Sequence, residues 1–192
     1  MAADLWLFQL INGLAGKVAA LDHLMRILVN DYFLPTGMCL VAIAMWFEGA
    51  SPEERTRNQR GAMQAALSLG LANLLLKTVN LFYFRERPFV HHQVNLLFYH
   101  PTDSSLPSNA AAIGFSIATA VWLHNRRFGL ALYILATLFG FARIYCGVHY
   151  PLDILAGASV GAFAAGLLYL ATPILRPGMQ LVQAVARRLF LA

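Results

Sequence analysis

Arg143-Ile-Tyr-Cys-Gly-Val-His149-Tyr-Pro-Leu-Asp153 is a polar island between two apolar runs, residues 128–145 and 152–172. Each run holds roughly the 17–25 residues a helix needs to cross the hydrocarbon of a bilayer. An arginine, a histidine and an aspartate at such a junction are costly to bury, and side chains of this kind mark functional sites in membrane proteins. Three further runs of similar character, residues 28–47, 62–84 and 107–123, lie upstream. Two more polar clusters sit at their ends, Arg85-Glu-Arg87-Pro88 and Pro107-Ser108-Asn109-Ala110.

Composition sets the class. Of 192 residues, 59% are hydrophobic and 12% charged, and the mean hydropathy is +0.60. A soluble domain carries about 25% charged residues, so the chain is read as an all-α polytopic membrane bundle. Five to six transmembrane helices are expected. Residues 4–20, apolar but broken by Asn12, Gly13, Gly16 and Lys17, form either a short first span or a helix lying at the interface. The N-terminus shows no basic region and cleavage site of a secretory signal, so these residues are expected in the mature protein.

One domain, residues 1–192, is expected, with a motif-bearing core at 60–172 and an amphipathic tail at 174–192. Pro35 and Gly37 predict a kink in the 28–47 run. Gly157-Ala-Ser-Val-Gly161 fits the close-packing pattern of membrane helices; packing inside one bundle is favoured over a dimer interface, and no oligomer is otherwise supported. Cys39 and Cys146 are far apart and read as unpaired thiols. The net charge of +5 comes from residues scattered at segment ends, which argues for membrane topology and against a nucleic-acid partner.

Orientation follows from the basic residues. Arg55, Arg57 and Arg60, then Arg126 and Arg127, then Arg176, Arg187 and Arg188 fall on one side if five consecutive runs cross. That side is the cytoplasm, so Arg85, Arg87, Arg143, His149 and Asp153 face outward, from the plasma (inner) membrane toward the periplasm or extracellular space.

His149 and Asp153 are four residues apart, so within one helical turn the carboxylate can fix the imidazole tautomer and leave the other nitrogen free as base or nucleophile. A structural His–Asp pair is the alternative. Arg85, Arg87 and Arg143 are permanently charged forks suited to a multiply charged phosphate and to neutralising its equatorial oxygens. Headgroup anchoring explains arginines alone but not the histidine and aspartate beside them. Ser108 adds a hydroxyl, and the amides of Asn109 and Ala110 become donors if a helix begins after Pro107. His91, His92, His100, His149, Asp103 and Asp153 are the competing metal ligands; no pair has HExxH-type spacing, and three arginines oppose a cation. No metal or cofactor is expected.

The three clusters resemble the signature of the type-2 phosphatidic acid phosphatase superfamily, KxxxxxxRP, PSGH and SRxxxxxHxxxD. Arg87-Pro88, Pro107-Ser108, and Arg143 with His149 and Asp153 carry the match, across roughly residues 60–172. Arg85-Glu-Arg87-Pro-Phe-Val, His100-Pro-Thr-Asp103-Ser-Ser-Leu-Pro-Ser and Phe8-Gln-Leu-Ile-Asn-Gly-Leu-Ala15 further resemble its bacitracin-resistance branch of undecaprenyl-pyrophosphate phosphatases. The resemblance implies a metal-independent, two-step reaction on a lipid phosphate. In it His149 attacks phosphorus, Asp153 orients the ring, and Arg87, Arg143 and Ser108 hold the phosphoryl oxygens.

The chain departs from the pattern at three places. Asn80 stands where the first motif has lysine, with Lys77 one turn earlier and Arg85 as the substitute charge. Ala142 stands where the superfamily has serine. Ala110 stands where the branch has the histidine that protonates the leaving group. The expected protein is therefore an undecaprenyl-pyrophosphate phosphatase weakened or silenced by a His-to-Ala change at 110, with a naturally inactive relative as the alternative. A broader phosphatase acting on phosphatidate, phosphatidylglycerophosphate or a lipid A phosphate is the neighbouring reading. A non-catalytic binder or transporter of isoprenoid phosphates is the reading from another class.

Overall fold

The computed structural model describes residues 2–189, and among them nine helices and no strand. In chain order these are α1 (Ala2–Asn12), α2 (Ala19–Leu28), α3 (Phe33–Phe47), α4 (Pro52–Phe82), α5 (Pro88–His91), α6 (Asn109–Trp122), α7 (Arg126–Tyr145), α8 (Pro151–Leu170) and α9 (Thr172–Arg188). The all-helical membrane architecture is the one composition predicted.

The helices that build the bundle core, α4, α6, α7 and α8, start where the sequence offers a cap. Ser51 accepts from the Glu54 amide ahead of Pro52 in α4, and Asn125 accepts from the Arg127 and Phe128 amides at the head of α7. Ser108 caps α6, and the Asp153 carboxylate turns back to the Tyr150 amide at the head of α8. These side chains satisfy the amides that a helix leaves without partners in its first turn.

The short α6 is the axis of the bundle. It packs against α4, α7 and α8, and Ala111, Ala112, Ala118 and Ala120 are fully buried. Small residues let the backbones approach. A Cβ on Gly157 of α8 would lie 2.3 Å from the Ser108 carbonyl oxygen, and one on Gly161 would lie 2.4 Å from that of Ala112. The Gly157–Gly161 pattern thus closes a contact inside the chain.

The expected five to six spans divide differently. Three helices, α4, α7 and α8, are long and apolar enough to cross a membrane, or four if the pair α2 and α3 counts as one bent span. At 14 residues α6 is shorter, because it starts after Pro107 and its Ser108 cap and ends at Trp122. The 28–47 run breaks at residues 29–32, ahead of Pro35, with a 56° bend between α2 and α3. Pro35 sits instead in the first turn of α3, where a missing amide hydrogen costs nothing. Residues 4–20 also differ from a single segment: α1 has 11 residues, too few to span, and a turn separates it from α2.

The tail forms α9, which buries Met179, Gln183 and Ala186 and leaves Leu181, Val182 and Val185 exposed. Gln183 donates to the Thr56 carbonyl and the Gln59 side chain, both 3.2 Å away. The polar contact docks the helix, and the apolar stripe faces away from the bundle. Residues 190–192 of the expected tail lie outside the described residues.

Candidate functional site

The segment 83–108 and the turn 146–150 meet at one end of the bundle, around a cavity of about 260 Å³. It is lined by Arg87, Arg143, His149, Asn109 and Ala110, with Asp31, Asp103, Tyr99 and the apolar Pro35, Ile113 and Phe139.

His149 lies one residue before the cap of α8, on the turn that follows α7. Its Nδ1 is 2.9 Å from the Ser105 carbonyl oxygen, which only accepts, so the ring donates there. Nε2 is then the unprotonated nitrogen, and Arg87 Nη1 donates to it at 3.2 Å. Burial holds the imidazole pKa down to about 4, partly offset by the Asp153 carboxylate and reinforced by the charges of Arg87 and Arg143. A neutral ring whose Nε2 carries no proton and faces the cavity, its lone pair held by Arg87, has the form of a nucleophile once substrate draws that guanidinium away.

Asp153 is fully buried, but it does not stack with His149 on one helix face. It belongs to the first turn of α8 and His149 does not, so Oδ2 stands 3.7 Å from Nδ1, beyond a hydrogen bond. The carboxylate is taken by other donors: the Ser105 hydroxyl at 2.5 Å and the Tyr150 amide at 2.8 Å on Oδ2, and Arg85 Nη1 at 2.6 Å on Oδ1. Ser105 Oγ is also 3.3 Å from His149 Nδ1. One serine therefore touches both partners, the imidazole through its carbonyl and hydroxyl and the carboxylate through its hydroxyl.

The arginines separate into two groups. Arg87 and Arg143 line the cavity. Arg87 bonds the Asp103 carboxylate at 2.8 Å and the Val148 carbonyl at 2.8 Å, and Arg143 pairs with Asp31 while resting between the rings of Phe98 and Phe139. Arg85 stands behind Asp153, away from the cavity, and joins it to Asp4 of α1. Lys77 and Asn80 are exposed on α4 and do not reach the cavity. Ser108 is spent on the cap, with Oγ accepting from the Ala111 amide, while Asn109 and Ala110 beside it line the cavity.

The histidines read as metal candidates disperse. His91 pairs with Glu86, and His100 stacks edge-on against Phe89 at 4.9 Å. Among the described residues no three His, Cys, Asp or Glu side chains gather as a metal site. Ser105, Asp31 and Tyr99 escaped the sequence reading. Ser105 alone had a signal, its place two residues before Pro107-Ser108; Asp31 and Tyr99 come from distant segments that only the fold unites.

Fold and site together define a multi-pass membrane phosphatase. The chain belongs to the PAP2 superfamily, which it matches over residues 61–176. It is similar to the undecaprenyl-diphosphatase BcrC of Bacillus subtilis (strain 168), 32% identical over 177 residues, covering 92% of this chain and 88% of that protein. Among solved structures it resembles Aquifex aeolicus LpxE, with a TM-score of 0.65 and 29% identity over 87% of this chain and 94% of that one. A PAP2-type phosphatidylglycerolphosphate phosphatase from Bacillus subtilis shares the fold, with a TM-score of 0.60 at 22% identity, over 88% of this chain and 83% of that one.

Proposed function

We propose that this chain removes the terminal phosphate of undecaprenyl pyrophosphate at the extracytoplasmic face of the plasma membrane. The observation that carries the proposal is the unprotonated Nε2 of His149, in a cavity with Arg87 and Arg143. Nε2 attacks the terminal phosphorus, the bond to the bridging oxygen breaks, and undecaprenyl phosphate leaves with a phosphohistidine behind it. Water then attacks that phosphorus, the P–N bond breaks, and inorganic phosphate departs.

Arg87 and Arg143 hold the equatorial oxygens once the phosphate displaces Asp103 and Asp31 from them. The N-terminus of α6, presented by Asn109 and Ala110, adds a favourable dipole. Asp153 stabilises the positive charge that the ring gains on attack.

The outward orientation is supported by the basic residues. Arg55, Arg57 and Arg60 in the first turns of α4, Arg126 and Arg127 at the head of α7, and Arg187 and Arg188 on α9 all belong to the end opposite the cavity. Undecaprenyl pyrophosphate is favoured over other lipid phosphates by the likeness to BcrC. It also fits Ala110: a phosphate is a better leaving group than an alkoxide and depends less on a proton donor.

Phosphate release from undecaprenyl pyrophosphate and from phosphatidate in detergent tests the proposal, with His149→Ala as the control. Preference for the pyrophosphate, loss of release in the control, and an acid-labile phosphorylated chain are expected. One specific observation favours a second reading: alanine, not a proton donor, lines the cavity at 110. If the Ala110→His chain binds the lipid but hydrolyses nothing, the protein is a binder of isoprenoid phosphates.

A further inference from the structure

We propose that Asp4 and Arg85 are positioning residues for this phosphoryl transfer: α1, through the Asp4 carboxylate, holds the Arg85 guanidinium against Asp153 and thereby fixes Asp153 beside the His149 ring. The proposal rests on the function given above. Arg85 is a fork with one tine on each acid, Nη1 on Asp153 Oδ1 at 2.6 Å and Nη2 on Asp4 Oδ2 at 2.8 Å. The guanidinium carbon lies 4.2 Å from the centre of the Tyr150 ring, so its plane is set from a third direction. The other oxygen of Asp4, Oδ1, accepts the Leu152 amide at 2.9 Å, which ties α1 to the first turn of α8 where Asp153 resides.

Arg85 gives Asp153 its one ion-pair partner of permanent charge among the described residues. A guanidinium is rigid and planar, so fixing one tine fixes the other. With Asp4 neutral, the second tine has no anion to anchor it. The fork is then held only by Asp153 and the Tyr150 ring. It tilts and draws Oδ1 with it, turning the carboxylate about the Oδ2 that Ser105 and the Tyr150 amide hold near Nδ1. The residue spacing that suggested phosphate for Arg85 cannot separate this role from a phosphate-holding one, but position does: Arg85 stands outside the cavity that Arg87 and Arg143 line.

Asp4→Asn is the selective test, because asparagine keeps an oxygen for the Leu152 amide and loses the anion that Arg85 binds. Phosphate release from undecaprenyl pyrophosphate is measured in the native chain and in the Ala110→His chain, alongside the dissociation constant for inorganic phosphate. Small misplacements of reacting groups lower rates by up to about 100-fold. A fall in rate of about tenfold or more, with phosphate affinity within about twofold, is expected for Asp4→Asn and for Arg85→Lys. Asp4→Glu should restore much of the rate. Arg87→Lys should instead weaken phosphate binding.

An unchanged rate in Asp4→Asn overturns the proposal and leaves the hydrolase standing. A parallel loss of phosphate affinity in Arg85→Lys also overturns it, by making Arg85 a phosphate ligand. If neither parent chain binds phosphate or releases it, the function proposed above falls and takes this inference with it.

Discussion

At position 110 a methyl group lines the cavity beside Asn109, buried against Leu34 and Phe139. A positioned proton donor accelerates a transfer by typically 10²–10⁴-fold, and a phosphate leaving group places this chain near the lower end. Ala110→His should therefore raise phosphate release at least about tenfold; an unchanged rate sinks the assignment of that position to the general acid. A second prediction concerns His149 itself. Imidazole nitrogen signals of the phosphate-free chain should show Nδ1 protonated and should titrate near pH 4, well below the ordinary 6.5, because burial opposes the charged ring. The unfolded chain takes up this proton near pH 6.5 and the folded chain only near 4. Stability from this group is thus complete above 6.5 and drains as pH falls toward 4. Melting in detergent across that window should show the loss, and His149→Gln should flatten it. At this scale Arg143, His149 and Asp153 were legible in advance because one short stretch carries all three. Their connection was not, since Ser105, which touches both His149 and Asp153, comes from another segment.

Helix packing decides how these residues meet, and here the small-residue pattern of α8 was readable while the breaks were not. Gly157 and Gly161 announced a close contact, and the partner is α6, at the level of Ser108 and Ala112. The break at 29–32 was missed because Pro35 looked like its cause; in fact Pro35 opens the helix that follows. The start of α6 was readable from Pro107-Ser108, and the helix falls short of its run by only those two residues and Leu123. The glycine contacts give a graded prediction. Gly157→Ala would push a methyl group into the Ser108 carbonyl, and the Ser108 amide is bonded to the Asp153 carbonyl at 2.9 Å. Overpacking of this kind costs about 1–3 kcal/mol, and this contact lies directly behind the site. Melting temperature and phosphate release should both fall in Gly157→Ala. Gly161→Ala should lower stability with less effect on the rate. Gly166 has nothing within 4 Å of a Cβ, so Gly166→Ala should be neutral or stabilising by up to about 1 kcal/mol through helix propensity.

Taken whole, the molecule is a bundle whose cluster of Arg55, Arg57, Arg60, Arg126 and Arg127 lies at the end opposite the cavity, and the proposed orientation rests on that cluster. Basic residues in short loops fix orientation because they are retained on the cytoplasmic side. Arg126 and Arg127 open α7, just after the short α6–α7 connection, and the cavity is at the other end of the same helices. The proposed outward face of the cavity makes opposite predictions for the two ends with a reagent that cannot cross the membrane. Thr102 is exposed at the cavity end and Arg127 at the other. With Cys39 and Cys146 replaced by serine and alanine, Thr102→Cys should react with an impermeant maleimide in intact cells. Arg127→Cys should react only after permeabilisation. The reverse pattern would place the cavity in the cytoplasm and overturn the proposed outward face. Labelling of both positions in intact cells would mean that α7 does not cross, and the sorting of charge would then need a cause other than topology.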